Sequence, residues 1–508
     1  MLTPFQKLLY NGFGSRKVLV AASGPCLRTF DYSSGHIISR WSYLDLDAPA
    51  GNKSSDLHDE DDAPPRKKHK IDSGNASDSV STEILIENGS GRQKPRRNGF
   101  AAPCITHLTA TADGRHVVII SGEDKAIRVL EMTEEGGLHQ FSKRVLPKRP
   151  SALTLTPEDQ ILCADKFGDV YSMPLLGQTI EKASNVDMQD QEPPIDELFK
   201  PAATSKTVHT KHNLRILELQ QKQKKTKKAS TTELQFEHNL ILGHVSLLTD
   251  IASVRLQTPE GRSRTYILTS DRDEHIRVSR SVPQAHIIEN FCLGHEQFVN
   301  KIHVPSWQPG TLISGGGDDY LLVWDWRTGT IRDKLDLKSL LAQSQTNTGE
   351  TTTFPISVSG IWSVETMSGS GSIIIACEKM NGLFTFALSS EGQIIIGQSI
   401  FKQLSHNVLD VAIVQHEQRI VVSLDIMHRP GSGEITAAHD HSSFVVVLHL
   451  QSDGTWEEMK ELIAVNTHAQ QTKEVLTESL DPTVWSGVFY NAEHLRKRGP
   501  LADAEEEL

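Results

Sequence analysis

Two stretches of this chain open with Gly-His and then run through the same order of features. LGHVSLLTDIASV leads through a turn to TYILTSDRDEHIRVSR, and LGHEQFVNKIHVP leads to GTLISGGGDDYLLVWDW. In each, a short apolar strand follows the Gly-His. A turn comes next, then a second strand ending in Thr269-Ser270 or Ser314-Gly315, an acidic hairpin turn, and a third strand. A recurring unit of about 40–50 residues cannot bury its apolar face alone, so it must stack on neighbours like itself. Weaker copies of the same order lie at 104–132 and 149–175, within ISVSGIWSVE…FTFAL, and within NVLDVAIV…SSFVVVLHL. KVLVAASGPCLRTFDYSSG supplies a further strand pair near the N-terminus.

Counted together, these are seven four-stranded units, several of them degenerate. Gly-His near the start of a unit and Trp-Asp near its end are the marks of a WD repeat, and Trp324-Asp325 is the one full match. The expected fold class is all-β: a seven-bladed WD-repeat β-propeller. The signature has a physical purpose. His295 in the loop before the blade, Asp318 in the hairpin turn, and Ser314 and Trp324 on adjacent strands can satisfy one another where blades pack face to face. These residue types resemble a catalytic set, but the repeat frame gives them a structural role. In the other strong unit the frame assigns the same work to His244 and Asp273. Ser279 stands where the neighbouring unit has Trp324, so the network there should be weaker.

Two stretches fit no blade. Residues 46–99, rich in Ser, Asp, Gly, Asn and Lys, read as a disordered insertion after the first blade (1–45). Residues 179–235 begin acidic and end in KQKKTKK, and read as a charged flexible insertion between blades 2–3 (100–178) and blades 4–7 (236–452). The tail, 453–508, carries helix-compatible pieces such as DGTWEEMKELIAV and PTVWSGVFYNAEHLRKRG; Trp485, Phe489 and Tyr490 are positioned to dock a helix on the propeller.

The net charge of −12 argues against a surface devoted to nucleic acid, which needs clustered Lys and Arg. Cys26, Cys104, Cys163, Cys292 and Cys377 are scattered, odd in number and without a C-x-x-C, as expected of buried free thiols in a reducing compartment. No apolar run is of membrane-spanning length and the N-terminus lacks a signal-peptide core, so the expectation is a soluble intracellular protein. The three glycines of ISGGGDDY sit between strands, whereas a phosphate cradle opens a helix. The 22 histidines include no H-E-x-x-H and no spaced Cys/His set, so no metal site is expected. The basic runs 64–70, 93–97 and 222–228 fall in the insertions; Arg66, Lys67, Lys68 and Lys70 are candidates for a nuclear-import address, and the expected location is the nucleus.

The hairpin Ile267–Arg280 remains unexplained by packing. Ile276 and Val278 alternate as core residues should. Asp271, Arg272, Glu274, His275, Arg277 and Arg280 have no such reason, and alternating charge is what fixes register on a docking surface.

LGHVSLLTDI, ILTSDRDEHIRVS, ENFCLGHEQFV, LISGGGDDYLLVWDW and CADKFGDVYS together make the chain similar to the WD-repeat, non-catalytic subunit of the eukaryotic tRNA (guanine-N7-)-methyltransferase, of a fungal type. The likeness covers roughly 100–180 and 238–330, with a weaker match to FYNAEHLRKR; Ser270 stands where family members often have Ala. The resemblance implies a chain with no catalytic role and no cofactor of its own. It would bind, as a heterodimer, a separate methyltransferase that holds the methyl donor and modifies a guanine in the tRNA variable loop. Contact with tRNA itself would be indirect or by peripheral contacts, with the basic insertions able to graze phosphates. It further implies that Arg277 pairs with an acidic residue of that partner, with Arg272, His275, Glu274 and Asp271 around it. The alternative from the fold alone is a generic nuclear scaffold, such as a ribosome-biogenesis or ubiquitin-ligase adaptor.

Overall fold

The computed structural model describes residues 4–43, 104–177, 236–257, 261–345, 355–366, 371–389, 391–395, 400–436, 443–451, 453–459, 465–466 and 482–497. The two insertions, including Arg66, Lys67, Lys68 and Lys70, lie outside the described residues.

Seven antiparallel sheets of four strands follow one another along the chain, each built as a simple meander. Blades 1 to 7 occupy residues 7–42, 105–145, 150–243, 248–293, 299–336, 358–403 and 407–459. The middle strands carry the β-branched and aliphatic runs. HVVIIS in blade 2 and GSIIIAC in blade 6 are buried at every position, because both faces of a middle strand meet a neighbouring blade. Outer strands read differently: IENFCL in blade 4 buries only Cys292 fully.

The core is a set of layers between blades rather than one centre. Val254, Leu268, Ile276, Val278 and Cys292 of blade 4 pack against Val299, Leu312, Leu322 and Trp324 of blade 5. Phe5, just before blade 1, and Leu8, Leu19 and Phe30 within it pack against Val414, Val421, Phe444 and Val447 of blade 7. That second layer closes the ring. Among the described residues, no sheet mixes strands from the two ends of the chain. The seam is held instead by this apolar layer and by Asp410, which accepts the backbone N–H of Leu8 (2.8 Å) and faces Lys7 Nζ (3.4 Å).

Two boundaries differ from expectation. The strand Asn239–Gly243 pairs with Asp169–Pro174 as the outer strand of blade 3, so the 179–235 segment interrupts blade 3 instead of separating it from blade 4. Trp456–Met459, expected in a helix-compatible tail, is the outer strand of blade 7 and pairs with Val445–Leu450. Only its Trp456 is buried, so its sequence shows none of the alternation expected of a strand with one apolar face. Among the described residues, helices α1 (Leu337–Gln345) and α2 (Pro482–Phe489) stand outside the blades. All five cysteines are buried and free. No described helix is long and apolar enough to cross a membrane.

Candidate docking site on blade 4

The Gly-His loops position the polar networks that tie each hairpin to the strand before it. In blade 5, His295 Nδ1 lies 2.7 Å from Asp318 Oδ2 and Nε2 2.7 Å from Ser314 Oγ, which also accepts from Trp324 Nε1 at 2.8 Å. All four residues are buried, so each polar group is satisfied by the chain itself.

Blade 4 departs from the alignment. His244 Nε2 meets Thr269 Oγ1 at 2.9 Å, but Nδ1 faces Asp271 Oδ2 at 3.4 Å, not Asp273. Asp271 is buried, and its Oδ1 also accepts the backbone N–H groups of Asp273 (2.9 Å) and His275 (3.1 Å), closing the turn. Burial alone would raise its carboxyl pKa; the bonds from His244 and from the His275 amide outweigh that and hold it below the usual range. The reason for the shift is one residue. Blade 5 has Gly316 at the matching position, where a Cβ would stand 1.8 Å from the Phe298 carbonyl oxygen, so the acid there comes from Asp318 instead. Asp271, expected at the docking surface, is therefore part of the internal network, and Asp273, expected in the network, faces outward. Ser279 Oγ is buried without a partner among the described residues, in line with the weaker network expected where Trp324 has no counterpart.

Three of the hairpin charges, Arg272, Asp273 and Glu274, are held by the tail. Helix α2 and the 3-10 turn Ala492–Leu495 cross the face that carries the second-to-third-strand turns. Trp485 packs over Gly24 of blade 1. Ser486 Oγ is 2.7 Å from His428 Nε2, and the Tyr490 hydroxyl bonds Asp425 of blade 7. Asn491 and Ala492 donate backbone N–H groups to Glu378 of blade 6 (2.8 and 2.7 Å). Arg496 Nη1 reaches Gln297 before blade 5 (3.2 Å). The strap ends on blade 4: Arg272 Nε donates to the Leu495 carbonyl (2.9 Å), and Lys497 Nζ lies 2.8 Å from Glu274 Oε1 and 3.3 Å from Asp273 Oδ1. Ser486, His428 and Asp425 are aligned like a hydrolytic relay. Yet His428 and Asp425 are wholly buried and the same carboxylate oxygen is taken by Tyr490, so the alignment anchors the strap.

Arg277 is not the protruding cation the sequence leads one to expect. It is 8% exposed. Its Nη1 donates to the Gly243 carbonyl (3.0 Å), its Nε is buried without an acceptor, and burial lowers its pKa despite the nearby charge of Asp271. Blade 2 shows a version that has its counter-ion, although among the described residues Nε is without an acceptor there too. Arg128, at the same place in its strand, is neutralised by Asp124 four residues earlier (2.7 Å) and lies over the Tyr43 ring. The residue four before Arg277 is Asp273, and it is engaged by Lys497. Among the described residues, Arg277 has no carboxylate at ion-pair distance. Around it the outer edges of blades 3 and 4 expose apolar side chains: Leu240, Val245, Phe291 and Leu293. Phe291 and Leu293 are the strand partners of Arg277 and His275. His275 is itself exposed, 3.6 Å from Asp271. Arg280, at the end of the strand, pairs with Glu289 of the same blade. Among the described residues no three His, Cys, Asp or Glu side chains converge as a metal site would require.

The comparisons with known proteins agree with one another. The family model described as the tRNA methyltransferase TRM82 WD40 domain matches residues 19–448. A protein of Aspergillus clavatus named as the non-catalytic subunit trm82 of tRNA (guanine-N(7)-)-methyltransferase is 37% identical, covering 97% of both chains. Proteins with the same subunit name in Aspergillus oryzae and Coccidioides immitis are 40% and 35% identical, each covering 91% of both chains. With the family model matching 19–448 and 35–40% identity running over 91–97% of these relatives, the chain belongs to the TRM82 family of tRNA-methyltransferase WD40-domain proteins.

Proposed function

We propose that this chain is the non-catalytic subunit of a tRNA (guanine-N7-)-methyltransferase. It binds the separate catalytic subunit, which carries the methyl donor, and holds it in the form that acts on the tRNA variable loop. A subunit that binds only the active form of its partner raises the population of that form, with no chemistry of its own. The observation that carries this reading is the near full-length identity to relatives bearing that subunit's name. The location comes from Arg277, a buried guanidinium with no carboxylate at ion-pair distance among the described residues and an apolar edge around it. An acidic side chain of the partner would complete the site as Asp124 completes Arg128. Arg272, His275 and Glu274 flank that contact; Asp271 supports it from inside.

In this reading tRNA is met mainly through the partner, and the basic runs of the insertions supply nuclear import. The test is co-purification. Arg277→Glu places a second carboxylate against the partner's acid and should cost on the order of 2–5 kcal/mol of binding. The variant is expected to unfold cooperatively but at a lower Tm than the parent chain, since a buried carboxylate near Asp271 is costly, to lose the catalytic subunit, and to leave tRNA without its N7-methyl mark in cells. An Arg277→Glu chain that still recovers active enzyme at normal yield overturns the location. A purified parent chain that transfers methyl groups by itself overturns the non-catalytic role.

A further inference from the structure

Asp124 and Asp273 occupy the same local geometry. Each precedes a residue of positive φ, Lys125 (57°) and Glu274 (72°), and each stands four residues before a buried arginine at the third position of its strand. In blade 2 the carboxylate closes on that arginine. In blade 4 it does not. Asp271 stands there where blade 2 has Gly122, but it is taken up by the turn amides and His244; the difference that touches the carboxylate of Asp273 is Lys497. Its ammonium draws Asp273 and Glu274 outward together, while Arg272 is fixed on the Leu495 carbonyl. The strap that delivers Lys497 is anchored on blades 7, 6 and 5 by Tyr490, by Glu378 receiving two backbone N–H groups, and by Arg496.

We propose that Lys497 is a positioning residue for the docking site: by holding Asp273 off Arg277, the C-terminal strap keeps that arginine unpaired until the partner's carboxylate arrives. This rests on the reading that Arg277 receives an acid of the catalytic subunit. Without Lys497, Asp273 is free to do for Arg277 what Asp124 does for Arg128. The partner then has to displace an internal ion pair and loses affinity, although no contact with the partner has been removed. A strap that merely stiffened the propeller would have a different signature, because deleting Asp273 would not undo its loss.

The experiment measures Kd of the full chain for its catalytic subunit in four variants, with melting curves as the folding check. Lys497→Ala is expected to weaken binding about tenfold, and Lys497→Arg to stay within about twofold of the parent, since a guanidinium keeps the charge. Lys497→Ala combined with Asp273→Ala is expected to recover most of the loss. Arg277→Ala is the control for the underlying reading. If Arg277→Ala weakens binding but Lys497→Ala does not, or if the double variant is as weak as Lys497→Ala alone with unchanged melting, the proposal is overturned. If Arg277→Ala itself leaves Kd unchanged, the docking-site reading fails instead.

Discussion

Asp271→Ala is the perturbation that separates the network in the structure from the one the repeat alignment assigns. The carboxylate accepts two turn amides, from Asp273 and His275, and faces His244 across 3.4 Å. A hydrogen bond to a charged acceptor is worth about 1.5–3 kcal/mol, and the His244 contact is long enough to count for less. Allowing for water reaching a turn near the surface, the expected cost is about 3 kcal/mol. Asp273→Ala removes only an ion pair with Lys497, both side chains being roughly half exposed (44% and 51%), and should cost under about 1 kcal/mol. Side-by-side urea unfolding is the assay. The pH dependence adds a second arm. The folded-state pKa of Asp271 is depressed, so its contribution is present above the ordinary carboxylate pKa and is lost as pH falls through the lower folded value. The Asp271→Ala and parent chains should therefore converge in acid. An Asp271→Ala chain as stable as the parent, or an Asp273→Ala chain that is the weaker of the two, refutes the assignment.

Three further outcomes follow from other parts of the ring. Trp324→Phe keeps most of the packing and deletes the donor to Ser314, and should cost about 1 kcal/mol, against about 3–5 for Trp324→Ala, by chemical denaturation. His303, hydrogen-bonded to Ser363, has its pKa pushed down by burial to about 4. The unfolded chain then takes up protons first, so stability drops as pH falls from the ordinary histidine range toward 4, and His303→Gln should flatten that slope in melting curves. Thiol titration of the native chain should find no reactive cysteine, since all five are buried and burial raises Cys104, Cys163 and Cys377 well above the usual thiol range and Cys292 to about 12; the denatured chain should expose them.

Much of this architecture is legible because the repeat carries redundant marks. Gly243-His244, Gly294-His295 and Trp324-Asp325 set the frame, and runs such as VVII and SIIIAC place the middle strands of degenerate blades. The outer strands are harder. Trp456–Met459 buries one side chain, so WEEMKEL carries helix-forming residues and no period of two to contradict them. The switch from Asp273 to Asp271 is easily missed, because both turns have the same length and both carry the later acid, Asp273 or Asp318; only the Gly316 that stands opposite Asp271 marks the difference. Trp485 and Tyr490 signal a docked tail, but nothing local shows that Arg272 meets Leu495, 223 residues away. Similarly, the charge of Arg277 is visible in the sequence while its burial is not. That burial follows from Gly243 ending the outer strand of blade 3 beside it.

The most direct test of the account is hydrogen exchange of the full chain with and without its catalytic subunit. Added protection is predicted at 240–245, 271–280 and 288–293, the edge around Arg277, with the far blades 1, 6 and 7 unchanged. Protection confined to those far blades, with the blade 4 edge exchanging as in the free chain, would contradict it.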